Sequence, residues 1–210
     1  MLDVAGPDHI DFLRPLIASG AMDGSWDRAL ASTGSAADGF LTKIGYALKH
    51  GSLPQLDPRT GKWIVTRIAG WVYRPDEATA PVGFGLFKEF YGDGFEFWLC
   101  AIAPSRRGMG TGRKMLTELM TTPLGLRAQL ARCALGTDGG RRCARILKSL
   151  EFETCRTTTR EEWLLHRRAP ASVVEQIATM DMAPFDPGAP SAALGVDPEG
   201  SPFGRGRARR

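Results

Sequence analysis

The chain has 210 residues, 43% of them hydrophobic and 24% charged, with a net charge of +4 and a pI near 9.0. That length suits one compact domain with a tail, and the composition supplies a real core, which excludes wholesale disorder. The charge is uneven: residues 1–103 carry a net −3, residues 104–168 a net +8 and residues 169–210 a net −1, so an anionic ligand is sought first in the middle stretch.

Asp8 to Ala18 reads as a helix, with Ile10, Leu13 and Ile17 on one apolar face and Asp8 as its cap. After a Gly/Ser/Ala-rich stretch, Phe40, Leu41, Ile44 and Leu48 mark a second helix that ends at Gly51. Leu53 to Gly61 carries Pro54 and Pro58 and predicts a loop. Trp63–Tyr73 is rich in β-branched and aromatic residues and predicts a strand; Pro75–Pro81 is its turn. Val82–Phe90 is the next strand, and Tyr91–Gly94 a hairpin turn. Phe95–Ile102 is a continuous apolar strand with a single charge, Glu96.

A helix then opens, with Met115, Leu116, Leu119 and Met120 on one face, and ends before Pro123. A strand near Gln129–Leu135, a helix over Arg141–Leu150 and a strand at Trp163–His166 complete the pattern. Strands followed by alternating strand and helix imply an α/β or α+β sheet of mixed direction. The expected division is a domain over residues 1–168 and a Pro/Gly-rich tail over 169–210 that ends Arg205-Gly-Arg-Ala-Arg-Arg210. A short helix at Ser172–Met180 aside, this tail is expected to be flexible or to wrap a partner in extended form.

The start, Met1 to Asp8, is acidic and has neither the basic region nor the apolar run of a signal peptide. No window approaches the ~20 apolar residues of a membrane span. Cys100, Cys133, Cys143 and Cys155 show no C-x-x-C and no nearby His pair, so the expectation is a cytoplasmic protein with buried free thiols and no metal site.

Ala103-Pro-Ser-Arg-Arg-Gly-Met-Gly-Thr-Gly112 joins the Glu96 strand to the following helix. Glycines there let several backbone N–H groups face one point, and the helix adds its free N-terminal donors, so the unit is an anion cradle. A P-loop is excluded because Lys114 follows Arg113 and precedes Met115. A dinucleotide fingerprint is excluded because Gly108, Gly110 and Gly112 alternate. What remains is Arg107-Gly-Met-Gly110-Thr-Gly112, an R-x-x-G-x-G turn after a strand ending Cys100-Ala-Ile-Ala-Pro104.

This stretch resembles the acetyl-CoA signature of the GNAT N-acetyltransferase superfamily, in which Gln or Arg precedes x-x-Gly-x-Gly/Ala. Ile102-Ala-Pro104 stands where that family has V-x-P, Leu150-Glu-Phe152 resembles its L-G-F, and Pro81-Val-Gly-Phe84 is similar to one of its strands. The resemblance covers roughly residues 1–168. It implies a mixed, mostly antiparallel central sheet flanked by helices, with acetyl-CoA as the acyl donor. The backbone of the Leu99–Ala103 strand, in particular Leu99, Ala101, Ile102 and Ala103, would hold pantetheine like an added strand. The N–H groups of Arg107, Gly108, Met109, Gly110, Thr111, Gly112 and Arg113 would hold the pyrophosphate.

By the same resemblance Glu96 occupies the position of the catalytic glutamate of the family's histone acetyltransferases. A lone carboxylate inside an apolar strand should have its pKa raised by burial, as a general base near neutrality requires. The other reading of Glu96 is a frayed strand start that meets solvent or an arginine. Two positions depart from the family: Gly140 replaces its helix-start Asn, and Leu147 replaces the Tyr that protonates the departing thiolate. A water or Cys143 could serve instead, although core packing is the plainer reading of Cys143. Arg141, Arg142 and Arg145 form a basic helix face, read either as solvated or as a 3′-phosphate site. The five tryptophans read as core or pocket wall, with Trp26 as the acceptor-site candidate, and the three histidines as surface or structural.

The expected function is an N-acetyltransferase that moves acetyl from acetyl-CoA directly to a primary amine of a small molecule or protein. The alternative is a non-catalytic GNAT-like binding or assembly module that docks a protein partner through its tail. Acetylation of an RNA-linked amine ranks below both, because the sequence has no RNA-binding aromatic motif; nucleic acid and membrane are not expected partners, and the oligomeric state, a dimer included, is left open.

Overall fold

The computed structural model describes residues 1–26, 28–31, 34–56, 61–76, 79–90 and 94–179. Strand β1 (Leu2–Val4) leads through a 3-10 turn at Pro7–His9 into α1 (Ile10–Met22), and α2 (Ser35–His50) follows. Five strands and a crossover helix come next: β2 (Ser52–Leu56), β3 (Trp63–Tyr73), β4 (Gly83–Phe90), β5 (Gly94–Ile102), α3 (Thr111–Met120) and β6 (Ala128–Ala134). The described chain closes with α4 (Asp138–Lys148), β7 (Phe152–Thr157), β8 (Glu161–His166) and α5 (Ala171–Thr179).

The strands form one sheet in the order β1-β3-β4-β5-β6-β8-β7, with β2 also paired to β3. Every pairing is antiparallel except β5 with β6. That exception has a covalent reason: β5 and β6 are joined through α3, and only a long crossover lets two successive strands run the same way. The expected mixed, mostly antiparallel sheet flanked by helices is therefore the observed one.

Alternation along β3 sorts the core into two faces. Trp71 and Tyr73 pack with Met115, Leu116 and Leu119 of α3 and Ala144 and Leu147 of α4. Val72, between them, packs with Leu13, Leu16 and Ile17 of α1 and Phe40, Leu41 and Ile44 of α2. On the second face α5 buries Val173 and Ile177 against Leu130 and Trp163. The chain thus continues to pack past residue 168, for as far as it is described; the expected tail over 180–210 lies outside the described residues.

Several sequence expectations are corrected. Ser52–Leu56 is a strand rather than loop, because Pro54 sits on β2, which among the described residues pairs with β3 alone. Residues 57–60, and 91–93 of the expected hairpin turn, lie outside the described residues. Strands β1 and β7 had no prediction: one is three residues long and the other, Phe-Glu-Thr-Cys-Arg-Thr, has one buried residue, Phe152. Asp8 does not cap α1; the N-cap is His9, whose Nδ1 accepts the Gly6 N–H at 3.1 Å. Helix α4 starts three residues earlier than expected because Thr137 caps it, accepting the Gly140 N–H at 3.0 Å. Trp63 is 55% exposed rather than core, and Cys155 is exposed rather than buried. No described helix is long and apolar enough to cross a membrane.

Candidate functional site

The parallel seam between β5 and β6 is short. Register runs Phe95 with Ala128, Glu96 with Leu130 and Phe97 with Ala131, and then stops, although both strands continue. From Trp98 to Ile102 on one side and Arg132 to Ala134 on the other, the sheet is open. The gap is the inner part of a cleft of about 910 Å³ whose outer part is walled by the Arg106–Arg113 loop, the start of α4 and the end of α1.

Opening the seam exposes backbone. The Ala103 N–H donates to the Val82 carbonyl at 2.8 Å, so this amide faces β4. Strand alternation turns the main-chain groups of Leu99 and Ala101 the same way and leaves those of Cys100 and Ile102 facing the gap. Of the residues expected to line an added strand, Leu99, Ala101 and Ala103 thus turn their main-chain groups to β4, whereas the N–H of Ile102, with that of Cys100, faces the gap. An extended ligand with amides of its own could complete the interrupted ladder there.

The mouth of the gap leads to the N-terminus of α3. Gly108 and Gly110 have φ of +78° and +75°, a left-handed conformation that side chains disfavour, and a Cβ built on either would meet nothing within 4 Å. Gly110 is the N-cap of α3, with no side-chain cap, and the first turn holds no acidic residue. The first donors of α3 are thus left for an outside acceptor, and the space above them fits a phosphate group. Gly108, Gly110, Thr111, Gly112 and Arg113 line the cleft; Met109 does not, and its side chain is 66% exposed.

The side chain of Arg107 turns away from the cradle. Its guanidinium donates to the Ile102 carbonyl at 3.0 Å, to Asp23 at 3.1 Å and to Ser19 Oγ at 3.3 Å. On the opposite rim Ser25 Oγ reaches Thr137 Oγ1 at 3.3 Å. The end of α1 is therefore strapped between the Arg106–Arg113 loop and the start of α4. Trp26 walls the cleft here and packs edge-on to Phe84, ring centres 6.1 Å apart. Asp23, Ser19 and Ser25 were missed in the sequence, since contacts spanning 84 to 112 residues leave no local signal.

Of the two readings of Glu96, the structure shows the one in which it meets an arginine, though inside the sheet rather than at a frayed strand start. Glu96 is 3% exposed and does not line the cleft. Arg132, from β6, donates Nε to its Oε1 at 2.6 Å, and Lys88 stands directly opposite on β4. Burial alone would push this carboxyl up, as expected, but the Arg132 and Lys88 charges and the Arg132 hydrogen bond hold it below the ordinary carboxylate range. Arg132 in turn lies over the Trp163 ring, 5.3 Å from its centre, and Lys88 is pushed down by burial. The expected raised base is instead an ionised member of an ion-pair cluster, at the end of β5 where the seam is closed.

Leu147 is 1% exposed and packs in the core below the cleft, and Gly140 lies so close to the Ala134 carbonyl that a Cβ there would clash. Neither position carries acid or base chemistry. Arg141 is committed to the Leu135 carbonyl at 2.7 Å and to Asp138 at 2.5 Å, which leaves Arg142 and Arg145 as the exposed cations of the expected basic face. His166 is buried and accepts the Arg168 N–H, a structural role. Cys100, Cys133 and Cys143 meet in the cleft from β5, β6 and α4. Among the described residues no group of three or more His, Cys, Asp or Glu side chains could hold a metal ion.

No protein-family model matches this sequence, and no curated protein matches it. Solved structures do. YncA of Salmonella typhimurium, described as an acetyltransferase and solved with its cofactor acetyl-CoA, superposes with a TM-score of 0.52 at 14% identity over 81% of this chain and 96% of that one. An acetyltransferase of Thermus thermophilus gives 0.50 at 15% identity, over 79% and 96%. The PaiA N-acetyltransferase of Thermoplasma acidophilum in complex with coenzyme A gives 0.50 at 10% identity, over 79% and 98%. At such identities the likeness is one of fold: the chain has the fold of the GNAT acetyltransferases.

Proposed function

We propose that this protein binds acetyl-CoA in the open seam and transfers the acetyl group to a primary amine of a small molecule or protein. The observation that carries the reading is the continuity of the cleft. Backbone at Cys100 and the Ile102 N–H, facing the gap, meet at its mouth an uncapped helix N-terminus with room for phosphate. The first suits the amides of pantetheine, the second a pyrophosphate, and Arg142 and Arg145 add positive charge at the rim. The likeness in fold to structures that hold coenzyme A or acetyl-CoA supports the same assignment.

The acceptor would approach beside Trp26, whose ring closes the cleft at the end of α1. Glu96, ionised and shielded by Arg132, does not reach that space, so proton removal from the amine falls to water or to a group of the acceptor. Isothermal calorimetry with acetyl-CoA and a CoA-release assay against a panel of amines, peptides and charged tRNA test the reading. Saturable binding with release on at least one amine is expected; no binding would overturn it. A second reading, a non-catalytic binding module, is favoured by buried Leu147 and by Glu96 being ion-paired to Arg132. Its signature is binding without release on any acceptor, together with loss of a partner when residues 169–210 are deleted.

A further inference from the structure

Asp23, the C-cap of α1, uses both of its carboxylate oxygens. Oδ1 accepts the Ser25 N–H at 3.0 Å, and Oδ2 accepts from the Arg107 guanidinium at 3.1 Å. Among the described residues Arg107 is the one member of the Arg106–Arg113 loop whose side chain bonds to another element, through Ile102, Asp23 and Ser19. Both side chains of the ion pair are more than a third exposed, so it adds little to stability by itself. Its bearing is on position.

The turn that Asp23 closes carries Trp26 with it. Gly24 has a φ of +80°, and the Trp26 N–H returns to the Gly20 carbonyl at 3.1 Å. The Trp26 ring lies so tightly over Gly20 that a Cβ there would stand 2.7 Å from it. Any shift of residues 23–25 therefore moves the ring that walls the cleft. One chain of contacts thus runs from the glycine loop through Arg107 and Asp23 to the Ser25 N–H and Trp26.

We propose that Asp23 and Arg107 are positioning residues that couple the glycine loop to Trp26, so that coenzyme held by the loop fixes the wall of the acceptor space. This rests on the reading of the cleft as a coenzyme A site. An anion at the free donors of α3 immobilises the loop that presents them. The guanidinium, anchored on the Ile102 carbonyl, passes that order to the Asp23 carboxylate, which passes it to the turn. An acceptor then meets a settled wall only after coenzyme has bound. The coupling is reciprocal: whatever fixes Trp26 also tightens the hold on coenzyme.

Hydrogen–deuterium exchange read by peptide mass spectrometry, on the full chain with and without saturating coenzyme A, tests the coupling. In the wild type coenzyme A should slow exchange at residues 106–113 and, by about tenfold, at residues 19–26. Asp23→Asn has one carbonyl oxygen to serve either Ser25 or Arg107. It should keep the slowing at 106–113, lose it at 19–26, and bind coenzyme A no more weakly by calorimetry, because a negative charge beside the loop is gone. Arg107→Met removes the other half of the link and should give the same loss at 19–26, which keeps the test intact if Asp23→Asn folds poorly. Ser25→Ala frees the same turn from Thr137 on its other side and should retain the response. Its loss there too would mean general loosening and overturn the proposal. Slowing at 19–26 that survives in both Asp23→Asn and Arg107→Met would mean direct contact with coenzyme, and overturns it equally. Calorimetric binding with no slowing at 19–26 in the wild type sinks the coupling and spares the cleft assignment, whereas absence of binding sinks both.

Discussion

Strand β5 lives two lives within nine residues. Its first half, to Phe97, is paired to β6, buried, and pinned across the seam by Glu96 and Arg132; its second half is separated from β6, half-exposed, and bordered by glycines. The closed half spends its polar groups on holding the fold, and the open half withholds them. A break in a ladder is ordinarily costly, because each unpaired buried amide forgoes ~1–3 kcal/mol of hydrogen bonding. Here the break opens onto a cleft, so the amides stay wet until something with matching amides arrives. Glu96 and Cys100 are four residues apart, and the boundary between structure and function runs between them.

The largest expected effect comes from breaking the closed half. Arg132→Met leaves Glu96 buried without its guanidinium and should cost about 3 kcal/mol in denaturant unfolding, the low end of the usual range because Arg132 is partly exposed and Lys88 remains. A Glu96→Gln, Arg132→Met double variant should recover much of that loss, and a failure to recover would assign the cost to packing on Trp163 instead. Because Glu96 titrates below its unfolded value, its contribution is complete above the ordinary glutamate range and is lost as pH falls through the depressed folded value. Urea midpoints of the wild type should accordingly drop more steeply on acidification than those of Glu96→Gln.

The open half is broken at its mouth. Gly110→Asp tolerates the left-handed backbone better than most residues would and places a carboxylate where a phosphate belongs. It should weaken coenzyme A binding about a hundredfold, near 2.7 kcal/mol by calorimetry, while supplying α3 with the cap it lacks. The smallest effect is expected one helix further on. Thr137→Ala removes the α4 cap and the contact to Ser25, and should lower stability by about 1 kcal/mol in a thermal melt. A variant as stable as wild type would show that neither the cap nor the contact to Ser25 holds the start of α4.

Much of this was legible in the chain itself. The glycine turn could be read because a motif of local spacing sets local geometry: Gly108 and Gly110 take positive φ and α3 opens directly after them. The mixed sheet was legible from the same source, as a crossover helix between apolar strands leaves little choice of direction. Glu96 was misread for the opposite reason. Its protonation depends on Arg132, thirty-six positions away and adjacent only through the parallel register, and no pattern within β5 announces that partner. Pro54 shows a third kind of failure, a residue that normally excludes a strand but is harmless in one that, among the described residues, pairs on one side with β3.

The ion pairs have a bearing on encounter as well as on residence. Of the basic residues in 104–168, Arg107, Arg132, Arg141, Lys148, Arg167 and Arg168 are each matched to a carboxylate. Arg113, Arg142 and Arg145, which border the cleft, make no ion pair among the described residues. Unpaired positive charge of the basic segment thus borders the cleft at its rim. Arrival should quicken at low ionic strength and slow as salt screens that rim, while departure, governed by backbone amides deep in the seam, should scarcely notice.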